Sequence, residues 1–336
     1  MVSTTIDRQN SFEANDVRSV HSNSKPMIQL RRLFRFFGKT RAVNDVSFEV
    51  EAGQVFGYIG PNGAGKTTSM RILSTLDLPD YGDALVDGFS VINDPEHVRR
   101  RLGFMPDNFG TYPNMNCVEY LDFFARSYGI VGRDRTKALR RTLAYTGLDK
   151  IGEKSIRGLS KGMRQRLCLG RAMIHDPKVL ILDEPANGLD PRARIELRQM
   201  IRGLAEEGKS LLVSSHILTE LGEMCDAIGI IERGELIVSG TVTEIKAKLQ
   251  GYVEVIVQLL KSNAELPSWL EQQPDVEDVV LEEKSVRFRI TDESPERQAS
   301  LLRAMVVEKE FEITEYSTRR KTLEDVFMQI TTGAVQ

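Results

Sequence analysis

A glycine-rich turn between an apolar run and a helical pattern constrains the fold of this chain more than any other feature. The run Val55–Gly60 (VFGYIG) predicts a short buried strand. The turn matches GxxxxGK(S/T), a pattern that needs a strand before it and a helix after it. Its residues are Gly60, Pro61, Asn62, Gly63, Ala64, Gly65, Lys66, Thr67 and Thr68. The order of strand, turn and helix predicts an α/β fold that binds a phosphate at the turn.

The residues of this turn have the chemistry of a phosphate cradle. Glycines allow successive backbone N–H groups to point inward around an anion, and the helix N-terminus adds the positive end of its dipole. Lys66 can reach the β- and γ-phosphates of a nucleotide, and the hydroxyl of Thr67 can ligate Mg²⁺. The alternative is a glycine-rich turn that only connects a strand to a helix, and the context on both sides argues against it.

A second apolar run ends in two carboxylates. Val179–Leu182 (VLIL) predicts a strand buried on both faces, and ligands of α/β sheets bind at the carboxyl ends of such strands. Asp183 is placed to hold Mg²⁺, often through water, and Glu184 to accept a proton from, or orient, the water that attacks a γ-phosphate. Alone, the pair would fit a solvated acidic turn. Downstream of a phosphate loop, it predicts a nucleotide-hydrolysing site.

Three more strings occur in order: Leu159–Met163 (LSKGM), Asn187–Pro191 (NGLDP) and Ser214–His216 (SSH). Together with GPNGAGKTT and ILDEP they resemble the ABC ATPase superfamily over about residues 27–248. The string LSKGMRQRL and the C-terminal Thr322–Phe327 (TLEDVF) are most similar to ATP-binding subunits of drug, polysaccharide and lipid exporters. Each string is weak alone, but five in this order are specific.

The resemblance implies a site shared between two chains. LSKGM would be the signature motif, whose residues contact the γ-phosphate held by the phosphate loop of a second subunit: Ser160, Lys161, Gly162 and Met163. Asp190 would belong to the D-loop. Two ATPase subunits, expected to be a homodimer, would then close head to tail around two ATP molecules. Ser160 also fits an ordinary helix N-cap, which is compatible with that role.

The resemblance also assigns the catalytic and base-binding residues. Glu184, His216 and Lys66 would be catalytic, with His216 contacting the γ-phosphate. Phe37 matches the aromatic residue that stacks on adenine, although Phe34 and Phe36 could compete for that role or all three could be core.

Two positions depart from the family pattern. Asp107 in GFMPD stands where the family usually has glutamine, and it is assigned to Mg²⁺ or its water together with Thr67 and Asp183. Lys161 and Met163 replace the glycine and glutamine of the best-known signature. Because Ser160 and Gly162 are kept, intact hydrolysis is expected.

Changes in sequence pattern divide the chain into three parts. Residues 1–26 are polar and predict a disordered leader. Residues 27–248 predict an ABC ATPase domain with a mixed β core, a parallel sheet and a helical subdomain at about 95–165, which contains a helical pattern from about Pro95 to Gly147. The accessory domain at 250–336 has the order β-α-β-β-α-β, which suggests a ferredoxin-like α+β domain. Its predicted strands are 252–260, 276–283, 285–291 and 311–317, and its predicted helices are 268–273, 296–308 and 323–330.

Composition and hydropathy bear on partners and location. The formal net charge of −3 gives no electrostatic reason to expect nucleic acid, although RRLFRFFGKTR mixes basic and aromatic residues as nucleic-acid or membrane surfaces do. No apolar stretch approaches the roughly 18–20 residues that span a bilayer, and the N-terminus lacks the apolar centre of a signal peptide. Three widely spaced cysteines fit a reducing cytoplasm.

These observations predict a cytoplasmic ATPase that is peripheral on the cytoplasmic face of the cell membrane. It would use ATP and Mg²⁺ and couple dimer closure to export through a separate polytopic membrane subunit. The alternatives are a soluble ABC ATPase acting on nucleic acid or ribosomes, which typically has two cassettes, coiled coils or zinc motifs, and a regulatory ATPase whose C-terminal domain senses a ligand.

Overall fold

The computed structural model describes residues 25–110, 112, 114–217, 221–222, 224–249, 252–292 and 294–320. Before residue 250 its strands are β1 (Ile28–Phe37), β2 (Thr40–Val50), β3 (Val55–Ile59), β4 (Tyr81–Val86), β5 (Phe89–Ser90), β6 (Leu102–Met105), β7 (Val179–Leu182), β8 (Ser210–Ser215), β9 (Ala227–Glu232) and β10 (Glu235–Thr241). The helices there are α1 (Lys66–Leu73), α2 (Pro95–Arg101), α3 (Cys117–Ser127), α4 (Gly132–Tyr145), α5 (Lys161–Met173), α6 (Pro191–Glu206) and α7 (Val242–Leu249). Strands alternating with helices confirm the predicted α/β class.

A six-stranded sheet in the order β10-β9-β3-β8-β7-β6 forms the centre of this part. All neighbours pair in parallel except β9 and β10. Strands β3, β7 and β8 are buried at every position because helices and the second sheet cover both faces, which explains their continuous apolar sequences. In the parallel register Ile59 lies beside Ser215 and Leu182 beside Val213. The segments that follow β3, β7 and β8 therefore meet at one edge of the sheet.

A separate antiparallel sheet has the order β2-β1-β4-β5. Its β1–β2 hairpin turns at Gly38, which has φ +59°. Apolar residues on its inner face, including Ile28, Leu30 and Phe48, pack in one core with Phe56 and Tyr58 of β3. This sheet holds β1 beside the strand that leads into the phosphate loop.

The prediction of a helical stretch from Pro95 onward was wrong in one place. Helix α2 occupies Pro95–Arg101, but Leu102–Met105 is strand β6 at the edge of the central sheet. A run this short cannot be assigned by periodicity, and its conformation is set by pairing with β7. A Cβ at Gly103 would lie 2.0 Å from the carbonyl oxygen of Ala172, so only glycine allows helix α5 to approach β6 this closely.

Helices α3, α4 and α5 follow β6 and precede β7 in the sequence. They form a layer with a core of its own, which includes Tyr120, Leu121, Leu143 and Leu167. Asn116 and Glu119 start α3 with a reciprocal capping box, because each side chain accepts a backbone N–H of the other. These helices overlap the predicted helical subdomain at about 95–165, whose bounds stay a prediction. Within the described ranges no helix is both long and apolar enough to cross a bilayer.

The C-terminal part contains β11 (Val253–Leu259), α8 (Glu265–Leu270), β12 (Val276–Glu282), β13 (Ser285–Ile290), α9 (Pro295–Arg303) and β14 (Ile313–Arg320). The chain continues past α9 in one π-helical turn, Ala304–Glu308. Its antiparallel sheet has the order β12-β13-β11-β14. This order, with a helix after the first and third strands, confirms the predicted ferredoxin-like arrangement. Residues 1–24 of the predicted leader, the predicted helix 323–330 and the string Thr322–Phe327 lie outside the described residues.

Phe288→Ala should unfold the C-terminal part without unfolding the ATPase part. Phe288 is completely buried in a cluster that contains only residues from Val253 to Phe311, together with side chains packed on it. Truncation of a buried phenylalanine costs about 3–5 kcal/mol, a large share of the stability of a domain of this size. Calorimetry should show a new transition at lower temperature, with the main transition and ATPase activity kept. Val280→Ala, on exposed β12, is the control, and a single transition that shifts as a whole would contradict independent unfolding.

Candidate nucleotide site

The phosphate loop follows β3 and leads directly into α1. At Gly60 a Cβ would lie 2.3 Å from the carbonyl oxygen of Ile231, and at Gly65 it would lie 2.3 Å from that of Ala42. Gly65 also has φ +107°, a backbone conformation that residues with a side chain rarely adopt, and it is the N-cap residue of α1. The glycines therefore let the loop pass close to neighbouring backbone and lead it into the N-terminus of α1, which favours an anion.

Lys66 is buried in this loop, with 5% of its surface exposed. Its ammonium donates hydrogen bonds to the carbonyl oxygens of Gly60, at 2.6 Å, and Pro61, at 3.2 Å. Its Nζ also lies 3.3 Å from Oε1 of Glu184. A buried ammonium needs such partners, and it provides a cation next to the site where the loop can hold a phosphate.

Asp183 is almost fully buried at the end of β7. The hydroxyl of Ser214 donates to its Oδ1 at 2.7 Å, and the same Ser214 oxygen accepts the N–H of Glu184 at 2.8 Å. Burial raises the pKa of Asp183 above its ordinary value, hydrogen bonds from Ser214 and Thr67 oppose the rise, and the charges of Glu184 and Asp107 add to it. A nearby cation would stabilise this carboxylate, because burial and the neighbouring negative charges disfavour its ionised form.

Glu184 contacts both Lys66 and His216. Its Oε2 lies 2.8 Å from Nδ1 of His216, while its buried Oε1 accepts no hydrogen bond and is ion-paired with the ammonium of Lys66 at 3.3 Å. Its backbone has φ +47°, a left-handed conformation that is uncommon outside glycine and is found at functional sites. Because Oε1 accepts no hydrogen bond, it keeps a lone pair that a water molecule in the site could donate to.

A cavity of about 470 Å³ opens between these groups. Asp107 lies at its wall, where Asn187 donates to its Oδ1 at 3.3 Å. The lining comprises Ala42, Asn62, Gly63, Ala64, Gly65, Lys66, Thr67, Thr68, Asp107, Glu184, Asn187 and His216. Hydroxyl and carboxylate oxygens from Thr67, Asp183 and Asp107 are the donors that Mg²⁺ prefers, so the residues present fit that ion.

The phosphate loop, Asp107, Glu184 and His216 thus lie around one cavity. Two further residues belong to the site. Ser214, which bridges Asp183 and Glu184, and Asn187, which holds Asp107, were not predicted as site residues. Both lie inside strings that were recognised for other residues, SSH and NGLDP. The available signal was a polar side chain close in sequence to a predicted catalytic residue: Ser214 near His216, and Asn187 near Glu184.

Several predicted residues lie apart from the cavity lining. Ser160 caps α5 by accepting the N–H of Met163 at 3.2 Å, and Asp190 caps α6 by accepting that of Ala193 at 2.9 Å. Ser160 and Lys161 are exposed, and Gly162 and Met163 are half-buried. Phe37 is half exposed at the end of β1.

The rings of Phe34 and Phe36 pack with Tyr81, at centroid distances of 6.2 and 6.4 Å. Phe37 takes part in a different contact, beneath the guanidinium of Arg35. This separation favours Phe37 over its neighbours as a stacking surface for a base.

Comparisons with known proteins agree with this geometry. A family model described as "ABC transporter" matches residues 43–187, and one described as "ATP-binding protein DrrA1-3-like, C-terminal domain" matches residues 240–331. The linearmycin resistance ATP-binding protein LnrL of Bacillus subtilis is 30% identical over 307 residues, covering 91% of this chain and 98% of that protein. The chain belongs to the family of ABC transporter ATP-binding proteins. The resemblance inferred from the motifs is thereby confirmed.

Other relatives resemble the ATPase part. Nod factor export ATP-binding protein I of Ralstonia nicotianae is 35% identical over 222 residues, which are 66% of this chain and 69% of that protein. A solved ATP-binding subunit of an ABC transporter has a TM-score of 0.60 and 28% identity, over 66% of this chain and 92% of its own. The chain is therefore an ATP-binding subunit with the ABC ATPase fold, an enzyme that hydrolyses ATP.

Asp183→Asn should stabilise the nucleotide-free ABC subunit while abolishing its ATPase activity. The amide removes a buried charge and can still accept the hydrogen bond of Ser214. We expect a free energy of unfolding about 0.5–2 kcal/mol higher near neutral pH. Because the native pKa is raised, the wild-type carboxyl becomes neutral as the pH falls through it, and the gain should shrink. Urea unfolding at two pH values, with an ATPase assay, measures both effects.

Asp176→Asn is the matched control for this prediction. Burial raises the pKa of Asp176, but Lys209 and Arg141 outweigh burial and hold it below the ordinary value. This exposed aspartate should therefore lose stability on neutralisation. Loss of stability in Asp183→Asn at neutral pH would show that its charge is not disfavoured in the fold.

Proposed function

We propose that two copies of this chain close around two ATP molecules and couple that closure to export through a separate membrane subunit. The observation that carries the proposal is the position of the signature residues. Ser160 and Gly162 begin helix α5 on an accessible surface and do not line the cavity of their own chain. The N–H groups of a helix N-terminus favour an anion, and the γ-phosphate held by a partner's phosphate loop would be that anion.

The proposed roles within one chain follow from the contacts described above. Lys66 neutralises phosphate charge, and its attraction to Glu184 helps to hold that carboxylate in place. Glu184 orients the attacking water through Oε1, which accepts no hydrogen bond within the chain, and His216 fixes the other oxygen. Thr67, Asp183 and Asp107 would hold Mg²⁺, which neutralises charge that develops on the phosphates.

The relatives support export as the direction. The name of LnrL refers to linearmycin resistance and that of the Ralstonia protein to Nod factor export. The resemblance to LnrL extends through the C-terminal domain, because it covers 91% of this chain. These relatives favour transport over action on nucleic acid or ribosomes. A subunit of this kind is expected on the cytoplasmic face of the cell membrane.

Exposed aromatic residues near Asp107 support docking of a membrane subunit. Tyr112 is 49% exposed and Phe123 is 45% exposed, and their ring centroids are 5.9 Å apart. Both belong to the segment that connects Asp107 to helix α3 or to the helix itself. A short cytoplasmic helix of the membrane subunit would bury these rings, and movement of this segment with Asp107 would transmit the state of the nucleotide site.

Glu184→Gln should trap the closed dimer. The amide keeps the size of the side chain but cannot act as a base, so ATP should bind without turnover and hold two subunits together. Size measurements with and without ATP should show a dimer only with ATP. Adding Ser160→Arg, which blocks the signature surface, should abolish that dimer, and Lys66→Ala should impair ATP hydrolysis. A protein that stays monomeric with saturating ATP would contradict the closure mechanism.

Phe123→Asp should uncouple the ATPase from its membrane subunit. Because Phe123 is exposed and does not line the cavity, ATP hydrolysis by the isolated subunit should be within about twofold of wild type. Recovery of a polytopic membrane protein with the tagged subunit from detergent-solubilised membranes should fall at least about tenfold. Val131→Asp, exposed at the start of α4, is the control. Equal recovery with both variants would place the docking surface elsewhere.

A further inference from the structure

The end of strand β1 carries a cation and an aromatic ring in contact. The guanidinium carbon of Arg35 lies 4.7 Å from the centroid of the Phe37 ring, within the range of a cation–π interaction. The side chain of Arg35 is 23% exposed, whereas Phe37 is 50% exposed. The guanidinium is therefore covered by protein, while much of the ring remains open to solvent.

Two aspartates hold the guanidinium in place. One Nη of Arg35 lies 2.9 Å from Asp77 and the other 3.5 Å from Asp80. Asp80 is itself fixed to β1, because its carboxylate accepts the N–H of Phe36 at 2.6 Å and its own N–H donates to the carbonyl of Phe34 at 2.9 Å. Planar guanidinium bound on two sides has little freedom to leave the ring.

These aspartates lie in the segment that leaves helix α1. The segment is tied to the helix end, since the N–H of Leu76 donates to the carbonyl of Arg71 at 2.8 Å. Helix α1 begins at Lys66 in the phosphate loop. One continuous segment thus starts in the phosphate loop and, beyond the end of α1, holds Arg35 against the Phe37 ring through Asp77 and Asp80.

We propose that Arg35 is a positioning residue that holds Phe37 as a flat surface for the adenine base. The proposal rests on the adenine role assigned to Phe37 in the proposed function. Arg35 covers one side of the ring and leaves the exposed side for the base. An unsupported ring would lose rotamer freedom when the base stacks, so support in advance raises affinity for the base without contact with it. Arg35 should therefore affect binding of the base and leave binding of the phosphates unchanged.

The test compares a complete nucleotide with its phosphate part alone in the full-length protein. KM and kcat are measured for Mg-ATP, and the inhibition constant is measured for Mg-tripolyphosphate. Arg35→Gln should raise KM for ATP about three- to tenfold, with kcat and the tripolyphosphate constant unchanged. In a Phe37→Leu background the same substitution should have no further effect. Arg35→Lys, which keeps the cation, should be intermediate and also serves if the glutamine variant folds poorly.

Arg32→Gln is the matched control, because Arg32 is an arginine of the same strand paired with Asp45 at 3.2 Å and 77% exposed. It should leave all three constants unchanged. A parallel rise in the tripolyphosphate constant for Arg35→Gln, or an undiminished effect in the Phe37→Leu background, would overturn the proposal. If Phe37→Leu alone leaves KM unchanged, the adenine role of Phe37 fails. If Phe37→Leu raises KM and Arg35→Gln does not, only the role of Arg35 fails.

Discussion

A buried ammonium and two carboxylates lie within a few ångströms of each other at the carboxyl edge of the central sheet. Lys66 is 3.3 Å from Glu184, and Asp183 lies next along the chain with its pKa raised by burial. Such charges are costly to bury unless each has partners. The loop carbonyls that bind Lys66, and Ser214, which bridges Asp183 and Glu184, supply those partners. The fold is organised so that these partners arrive together.

The strand order accomplishes this. Strand β8 lies between β3 and β7, so Ser214 at its carboxyl end stands between the phosphate loop and the acidic pair. His216 follows one residue after β8 and reaches the free side of Glu184. Residues far apart in sequence become neighbours because parallel strands all end at the same edge. A different strand order with the same motifs would leave Asp183 without the hydrogen bond from Ser214.

Two carboxylates of the site, those of Glu184 and Asp183, are only partly stabilised by contacts within the chain. The buried Oε1 of Glu184 is ion-paired with Lys66 but accepts no hydrogen bond, and burial raises the pKa of the Asp183 carboxyl. The signature residues present a helix start capped by Ser160, with Ser160 and Lys161 exposed. In the proposed closed dimer each half would meet the need of the other, because anion-binding N–H groups would face bound phosphates.

The amino-acid sequence by itself determined the family, the phosphate loop, the acidic pair and the ferredoxin-like order of the C-terminal part. These depend on local requirements: only glycine fits at Gly60 and Gly65, and the apolar run VLIL must be buried. Only the tertiary structure decided that Leu102–Met105 is a strand, that Ser214 and Asn187 join the site, and that Phe37 rather than Phe34 lies under Arg35. Each of these depends on which segment lies alongside, and a contact between distant segments leaves no periodicity in either one.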